Sequence, residues 1–106
     1  MVNYYRKGRI AERKVADQLK SRGFTNVRRS KGSRGPYDIY ARSPKKSDKT
    51  YVQVKSGKAQ LSRKEREKLR DIARKRHGSA VYIHYNGRGK TEETHLGNWS
   101  KRKGRS

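Results

Sequence analysis

Residues 50–55 (TYVQVK) decide the fold, because polar and apolar side chains alternate along them as they do in a β-strand. A spacing of two along a strand sends side chains to the same face. Val52 and Val54 are therefore expected on one face, and Gln53 and Lys55 on the other. The first face suits a hydrophobic core, whereas the second carries polar groups that need a separate explanation.

Two amphipathic helices are predicted, one on each side of this strand in the sequence. Residues 7–22 carry apolar side chains at helical spacing, and Gly23 follows the last turn, where glycine is a common stop. The second helix is expected to begin at Ser62, because Ser62 and Glu65 match a capping box. It is predicted to run to about His77.

Four further strands are predicted from apolar or alternating segments bounded by turn residues. They cover residues 24–30, 37–41, 80–85 and 91–96. The order α-β-β-β-α-β-β predicts an α/β fold with a mixed five-stranded sheet flanked by helices. We expect a single domain over residues 1–97, followed by a basic, disordered tail over residues 98–106.

The charge of the chain predicts a polyanionic partner. Its 106 residues include 31 Lys and Arg against 9 Asp and Glu, which gives a formal net charge of +22. Self-repulsion on this scale opposes a compact state unless an anion is present, and nucleic acid is the commonest such anion. The alternatives are a solvated basic surface, an anionic membrane and the ribosome. We favour nucleic acid.

The sequence also indicates a soluble intracellular protein. It contains no cysteine, so disulfides and thiolate metal sites are excluded. No apolar run is long enough to span a membrane, and the N-terminus lacks the apolar region of a secretory signal. We expect a cytoplasmic, nucleoid-associated protein with no membrane partner.

Four polar residues form a candidate catalytic set. Glu12 lies on the first predicted helix and Asp38 opens the second strand, while Gln53 and Lys55 share a face of the third. An Asp at the end of a neighbouring strand can meet that face. Oxygen ligands and an ammonium group suit a Mg²⁺-assisted attack on a phosphodiester, in which the cation supplies a hydroxide and the lysine offsets negative charge.

Each member of this set also has a simpler explanation. Glu12 taken alone is more typical of an ion pair with a lysine on the same helix. Gln53 and Lys55 would by default form the solvated face of an exposed strand. Only the combination, in this order and in so basic a chain, favours a catalytic site.

A series of short segments carries a resemblance to a known family. The segments are residues 5–8 (YRKG), 11–13 (AER), 22–24 (RGF), 27–28 (VR), 32–33 (GS), 38–39 (DI) and 52–55 (VQVK), together with Ser30 and Ala41. In this order they resemble the archaeal Holliday-junction resolvases, which belong to the PD-(D/E)xK nuclease superfamily. The resemblance extends over roughly residues 4–85 and implies a restriction-endonuclease-like fold.

The resemblance implies a role for each matching catalytic residue. Glu12 and Asp38 would be active-site carboxylates, with Asp38 a direct metal ligand and Glu12 acting on the metal directly or through water. Lys55 would be the catalytic lysine. The backbone carbonyl of Val54 would be a further ligand of Mg²⁺, for which Mn²⁺ can substitute.

The same resemblance implies contacts with DNA. The expected DNA-binding residues are Arg13, Arg28, Arg29, Ser30, Ser33 and Lys58. An extra residue in this chain leaves open which of Arg28 and Arg29 lies beside the scissile phosphate. Phosphate contacts of this kind position DNA without reading its sequence.

One position departs from the family pattern, since Gln53 stands where these resolvases carry Glu. An amide oxygen can coordinate Mg²⁺ but contributes no negative charge, so metal affinity should fall. Some other branches of the superfamily are similar in using Gln-x-Lys and remain nucleases. Glu12, Asp38 and Lys55 are all retained here, and we therefore expect activity.

Three hypotheses remain open. The first is a Mg²⁺-dependent, structure-selective endonuclease that acts on branched or four-way-junction DNA as a homodimer, because symmetric cutting needs two sites related by a two-fold axis. The chain is shorter after its last strand than typical resolvases, and a monomer would instead nick branched or flapped DNA. The second hypothesis is a DNA-binding module of the same fold disabled by Gln53. The third is a basic RNA- or ribosome-associated protein.

Overall fold

The computed structural model describes residues 4–30, 35–44 and 47–100, with the backbone alone described for residues 4–8. Its elements are α1 (Tyr4–Ser21), β1 (Thr25–Arg29), β2 (Ile39–Arg42), β3 (Lys49–Ser56), α2 (Arg63–Lys75), β4 (Ser79–Tyr85) and β5 (Thr91–Asn98). This order confirms the predicted α-β-β-β-α-β-β arrangement. Within the described residues, neither helix combines the length and the apolar character that crossing a membrane requires.

The five strands form one mixed sheet in the order β1-β2-β3-β4-β5. Neighbouring strands are antiparallel except β3 and β4, which are parallel. A parallel pair requires a crossover connection, and α2 supplies it. The helix therefore starts near the end of β3 at which Lys55 lies, and this brings its first turn close to the polar face of that strand.

The two helices cover opposite faces of the sheet. Side chains of α1, among them Val15 and Leu19, pack with Val52 in the larger core cluster. Leu69 of α2 packs with Tyr51 in a second cluster. Because neighbouring residues of β3 belong to different clusters, the alternation predicted for this strand is confirmed.

Both ends of α2 are fixed by specific contacts. The predicted capping box is present: the Glu65 N–H donates to Ser62 Oγ at 3.1 Å, and the Ser62 N–H donates to Glu65 Oε1 at 3.0 Å. The helix ends earlier than predicted, because His77 adopts a positive φ of 56°. Gly78 then passes so close to β3 that a Cβ there would lie 2.6 Å from the Lys49 carbonyl oxygen.

The strand β1 contains an irregularity that determines which of its side chains face β2. Asn26 has a positive φ of 52°, and the register with β2 shifts before Arg28, which lies opposite Tyr40. The Ser30 N–H donates to the Asp38 carbonyl oxygen at 2.8 Å. The end of β1 therefore holds the backbone that leads into β2.

The last strand extends to Asn98, beyond its predicted end. The Trp99 N–H donates to the Gly78 carbonyl oxygen at 2.8 Å, and the Trp99 side chain is partly buried against the second core cluster. Residues 101–106 of the predicted tail lie outside the described residues. The division into a domain and a disordered tail stays a prediction.

Candidate active site

The structure brings the four predicted catalytic residues to one cleft of about 1000 Å³. Glu12 lines it from α1, Asp38 from the position just before β2, and Gln53 and Lys55 from β3. Further lining residues in the described part of the chain include Val54, Lys58, Glu65 and Lys68. Because the lining comes from both helices, two strands and the loop after β3, it is the tertiary fold that assembles the cleft.

Asp38 is fixed where the β2–β3 ladder ends. Its N–H donates to the Val52 carbonyl oxygen at 2.7 Å, and its side-chain Oδ2 accepts from the Val54 N–H at 2.8 Å. The residue is only 7% exposed. Burial raises the pKa of the Asp38 carboxyl above its ordinary value, and the opposing effects of the Val54 N–H and of Lys55 are smaller. The site therefore holds a carboxylate that a neighbouring cation would stabilise.

Gln53 is also 7% exposed, so it does not belong to a solvated strand face. Its amide oxygen faces both carboxylate oxygens of Asp38, and its amide nitrogen donates to the Pro36 carbonyl oxygen at 3.4 Å. With the amide turned over, the nitrogen would donate to both Asp38 oxygens, at 3.2 Å for Oδ1. The turned orientation satisfies the hydrogen bonding of both side chains, whereas the first leaves three oxygens facing one another and would need a cation between them. The first orientation is therefore that of a metal ligand and the second that of a hydrogen-bond donor.

The donor set fits a hard divalent cation but supplies little charge. Mg²⁺ takes oxygen ligands and keeps several waters while it binds one or two carboxylates. The Asp38 carboxylate and the Gln53 amide lie side by side, so the amide could turn its oxygen to a cation bound by Asp38, and the Val54 backbone adjoins them. Among the described residues, no group of three or more His, Cys, Asp and Glu side chains is placed to hold a metal ion. A metal here would depend on amide, backbone and water oxygens in addition to the Asp38 carboxylate.

Lys55 is held by a residue that the sequence had marked only as a helix cap. The Lys55 Nζ donates to Glu65 Oε2 at 2.7 Å, while the other carboxylate oxygen of Glu65 accepts from the Ser62 N–H. One glutamate thus joins the first turn of α2 to the predicted catalytic lysine. Partial burial acts to raise the pKa of the Glu65 carboxyl, but the bonds from Lys55 and Ser62 outweigh it and hold that pKa below its ordinary value. Glu65 is therefore an anion at neutral pH.

A sequence signal for Glu65 existed, although it was interpreted locally. A capping box fixes the start of α2, and a helix that connects parallel strands must start near the end of the first strand. Lys55 lies near that end of β3, so the two side chains were placed to meet. Lys68, one turn of α2 further on, lines the same cleft and was likewise not predicted as a site residue.

The predicted DNA-binding residues divide between different places. Lys58 lines the cleft, and Arg13 is exposed on α1. Residues 28–30 line a second cavity, of about 340 Å³. Ser33 lies outside the described residues. Contacts between any of these residues and DNA stay a prediction.

Comparison with known proteins identifies the family of the chain. The family model Mrr_cat, described as a restriction endonuclease, matches residues 7–92. The chain belongs to this restriction-endonuclease family. The matched region runs from within α1 to the start of β5 and contains all four predicted catalytic residues.

A solved member of the resolvase group shares the fold. The chain is similar to Hjc, a Holliday junction resolvase from the archaeal hyperthermophile Archaeoglobus fulgidus, with 26% sequence identity and a TM-score of 0.70. The similarity covers 85% of this chain and 73% of that one. No curated protein sequence matches the chain. The predicted restriction-endonuclease-like fold and the predicted PD-(D/E)xK resolvase family are confirmed, and the domain is a Holliday-junction-resolvase-like nuclease domain.

Proposed function

We propose that this protein is a Mg²⁺-dependent endonuclease that cuts phosphodiesters in branched DNA, including four-way junctions. The observation that carries the proposal is the cleft itself, in which the buried Asp38 carboxylate lies against the Gln53 amide and shares the space with Lys55, whose ammonium group Glu65 anchors. The nuclease family supplies the reaction class. A net charge of +22 favours a polyphosphate substrate, because each neutralised phosphate releases counterions.

The metal would be held by a small set of oxygens. Asp38, Gln53 and the backbone carbonyl of Val54 would bind it, and Glu12 would hold one of its waters. When bound, Mg²⁺ or Mn²⁺ would supply a hydroxide near neutral pH and offset negative charge on the phosphate. Asp38 contributes the negative charge of this set, and Gln53 contributes a neutral oxygen that completes it.

Lys55 acts beside the metal ligands. It follows Gln53 by two residues on the same face of β3, so its ammonium group approaches the same phosphate. There it can donate to the attacking water or to a phosphate oxygen that gains charge during the reaction. The ion pair with Glu65 limits the orientations of its long side chain and keeps it directed into the cleft.

Branched DNA as the substrate rests on the similarity to Hjc, a Holliday junction resolvase. Paired cuts across a four-way junction need two active sites related by a two-fold axis, so we propose a homodimer. Resolving such junctions would serve DNA recombination and repair. It would also place the protein at the nucleoid, as the sequence analysis expected.

A DNA-binding module without catalysis is the second candidate. It is favoured by the neutral side chain of Gln53 and by the lack, among the described residues, of a group of three acidic or metal-binding side chains. DNA binding by the basic surface needs neither feature. No specific observation favours the RNA- or ribosome-associated alternative.

A cleavage assay separates the two candidates. A labelled four-way junction is incubated with Mg²⁺ or Mn²⁺ beside a matched duplex and a single strand. We expect paired, symmetric nicks in the junction that vanish for Asp38→Ala. They should persist for Asp17→Ala, which removes an exposed aspartate of α1 outside the cleft. Tight junction binding without cleavage would contradict the nuclease and support the binding module.

A second variant tests whether Gln53 belongs to the metal site. Gln53→Glu adds a negative charge beside Asp38, so Mg²⁺ should bind about tenfold more tightly and cleavage should rise at limiting Mg²⁺. Calorimetric titration of Mg²⁺ in the absence of DNA measures the affinity directly. No change in either quantity would remove Gln53 from the metal site.

A further inference from the structure

A second cavity lies on the same side of the sheet as the cleft. It has a volume of about 340 Å³, and Tyr37, Tyr40 and Tyr51 form its aromatic wall. The Tyr51 ring contacts the two others, with centroid separations of 5.1 Å to Tyr37 and 5.3 Å to Tyr40. Tyr51 is only 2% exposed, whereas Tyr37 and Tyr40 are partly exposed. We refer to this site, walled by the three tyrosines, as the tyrosine cavity.

Positive charge surrounds the tyrosine cavity, and no Asp or Glu is among its described lining residues. The cations are Arg28, Arg29, Lys49 and Arg76. None of the ion pairs within the described residues involves any of them. Burial raises the pKa of the Tyr51 hydroxyl by more than the neighbouring Arg76 lowers it, so the hydroxyl stays neutral. An occupant suited to these walls has an anionic group and a flat ring.

The tyrosine cavity lies close enough to the cleft for one DNA strand to contact both. Tyr51 and Gln53 lie two residues apart on one face of β3, which is about 7 Å along the strand. This distance is about the axial rise of two nucleotides. Tyr37 directly precedes Asp38, and Ser30, which also lines the cavity, donates its N–H to the Asp38 carbonyl oxygen at 2.8 Å. A DNA strand with one phosphate at Asp38 therefore reaches the cavity with a nucleotide one or two positions away.

We propose that the tyrosine cavity binds one unstacked nucleotide of the DNA strand held in the cleft, within about two nucleotides of the scissile phosphate. The nucleotide phosphate pairs with the cations, and its base packs on the partly exposed ring of Tyr37. The volume of the cavity is at the lower end of the range for small-ligand pockets, roughly 300–1,000 Å³, which suits a single nucleotide.

This inference rests on the proposed function and adds the feature of DNA that the protein recognises. Stacking on an aromatic ring tolerates any base, because every base has a flat face. An unstacked nucleotide is available at a branch point or a frayed end, whereas extracting one from an intact duplex requires that its base be unstacked and unpaired. The tyrosine cavity thus provides a preference for branched DNA without any reading of its sequence.

The first test changes the DNA and leaves the protein intact. A fluorescently labelled four-way junction carries a single abasic nucleotide, which is moved one position at a time across the arms near the branch. Binding is measured by fluorescence anisotropy in EDTA, so that no cleavage occurs. We expect affinity to fall about tenfold at one position, as for the loss of one base–aromatic stack, and less than about twofold elsewhere.

The second test changes the protein at the same contact. Tyr37→Leu should weaken binding of the intact junction and remove the additional loss at the sensitive abasic position, whereas Tyr37→Phe should retain both. Lys49→Ala should lower the salt dependence of binding, the slope of log K against log salt, by about one phosphate contact. Lys20→Ala is the matched control, since it removes an exposed lysine of α1 that lines neither the cavity nor the cleft.

The outcomes separate this inference from the proposed function. A flat abasic profile together with metal-dependent cleavage overturns the role of the tyrosine cavity and leaves the nuclease standing. A single sensitive position that depends on Tyr37, without cleavage under any metal condition, supports the cavity and overturns the nuclease. If Tyr37→Leu fails to fold, the profile of the wild-type protein and the Tyr37→Phe variant still decide the matter.

Discussion

The two faces of β3 differ in how the burial of their side chains affects the stability of the fold. On the α1 side, Val52 and Val54 are 0% and 7% exposed and pack with apolar side chains of α1. On the α2 side, Gln53 is buried to the same 7%, but it meets the carboxylate of Asp38. Burial of an aliphatic side chain stabilises the fold, whereas burial of an amide or a carboxylate costs free energy unless each polar atom is paired.

This difference indicates that one face of β3 stabilises the fold and the other carries the residues of the candidate site. The apolar face and the α1 helix supply stability that offsets the cost of keeping polar groups buried on the other face. Sites arranged for chemistry commonly carry such a cost. Substitutions on the apolar face are therefore expected to change stability, and substitutions on the polar face are expected to change activity.

The largest effect is expected for Lys55→Ala, on the polar face. Removing the ammonium group takes away a charge that stabilises the reacting phosphate, so single-turnover cleavage of a junction should slow about 100- to 1000-fold. The free energy of unfolding in urea should change by less than about 1 kcal/mol, because the ion pair with Glu65 is partly exposed. Lys64→Ala, on the exposed side of α2, is the matched control. A comparable slowing in that control would mean that the loss reflects general charge and not this site.

The opposite result is expected for Val52→Ala, on the apolar face. The side chain is fully buried, so its truncation should lower the free energy of unfolding by about 2 kcal/mol, or roughly 30-fold in the folding equilibrium. Cleavage per folded molecule should stay within about twofold of wild type well below the unfolding midpoint. Slow cleavage by a fully folded Val52→Ala protein would contradict the claim that the apolar face affects stability and not activity.

The fold could be predicted from the sequence because its signals are local. The alternation in residues 50–55 and the capping box of Ser62 and Glu65 both act over a few residues, and both are present in the structure. The predicted end of α2, at about His77, was too late, because Gly78 was taken as the residue that stops the helix. The left-handed conformation of His77 ends the helix before that glycine is reached.

The candidate site could be predicted only where single residues stand out. With 9 acidic residues in the chain, Glu12 and Asp38 were conspicuous, and the structure places both in one cleft. The second role of Glu65 depends on α2 starting beside the end of β3. The tyrosine cavity depends on the register that sets Tyr40 opposite Tyr51. Contacts of this tertiary kind leave no pattern within a short segment of sequence.

A smaller effect is expected for Glu65→Gln, which keeps the shape of the side chain but removes its charge. We expect kcat for junction cleavage to fall about fivefold to tenfold, with the Kd for the junction within about twofold, because Lys55 loses its anchor and not its charge. Ser62→Ala is the control: it should lower the free energy of unfolding by about 1 kcal/mol through the helix cap and leave kcat unchanged. If both variants alter stability and neither alters kcat, Glu65 is a helix cap and not a positioning residue.

The smallest effect, and the most direct measure of the cost on the polar face, concerns Asp38→Asn. Burial raises the pKa of the Asp38 carboxyl in the folded state above its value in the unfolded chain. The folded state therefore binds more protons between these two pKa values, and this residue's contribution to stability is lost as pH rises through that window. An asparagine does not ionise and can still accept the Val54 N–H through its carbonyl oxygen.

The variant should consequently gain stability relative to wild type as pH rises above about 4, and the gain should level off once the Asp38 carboxyl is ionised in the folded protein. Urea unfolding in EDTA at a series of pH values measures the difference between the two proteins, in which the other titrating groups cancel. Addition of Mg²⁺ at neutral pH should then reduce the difference, because the cation stabilises only the ionised wild-type site. If the difference in unfolding free energy between the two proteins is constant from pH 3.5 to pH 7, ionising the buried Asp38 carboxyl does not destabilise the fold. The two faces of β3 would then not differ in the free-energy cost of burial.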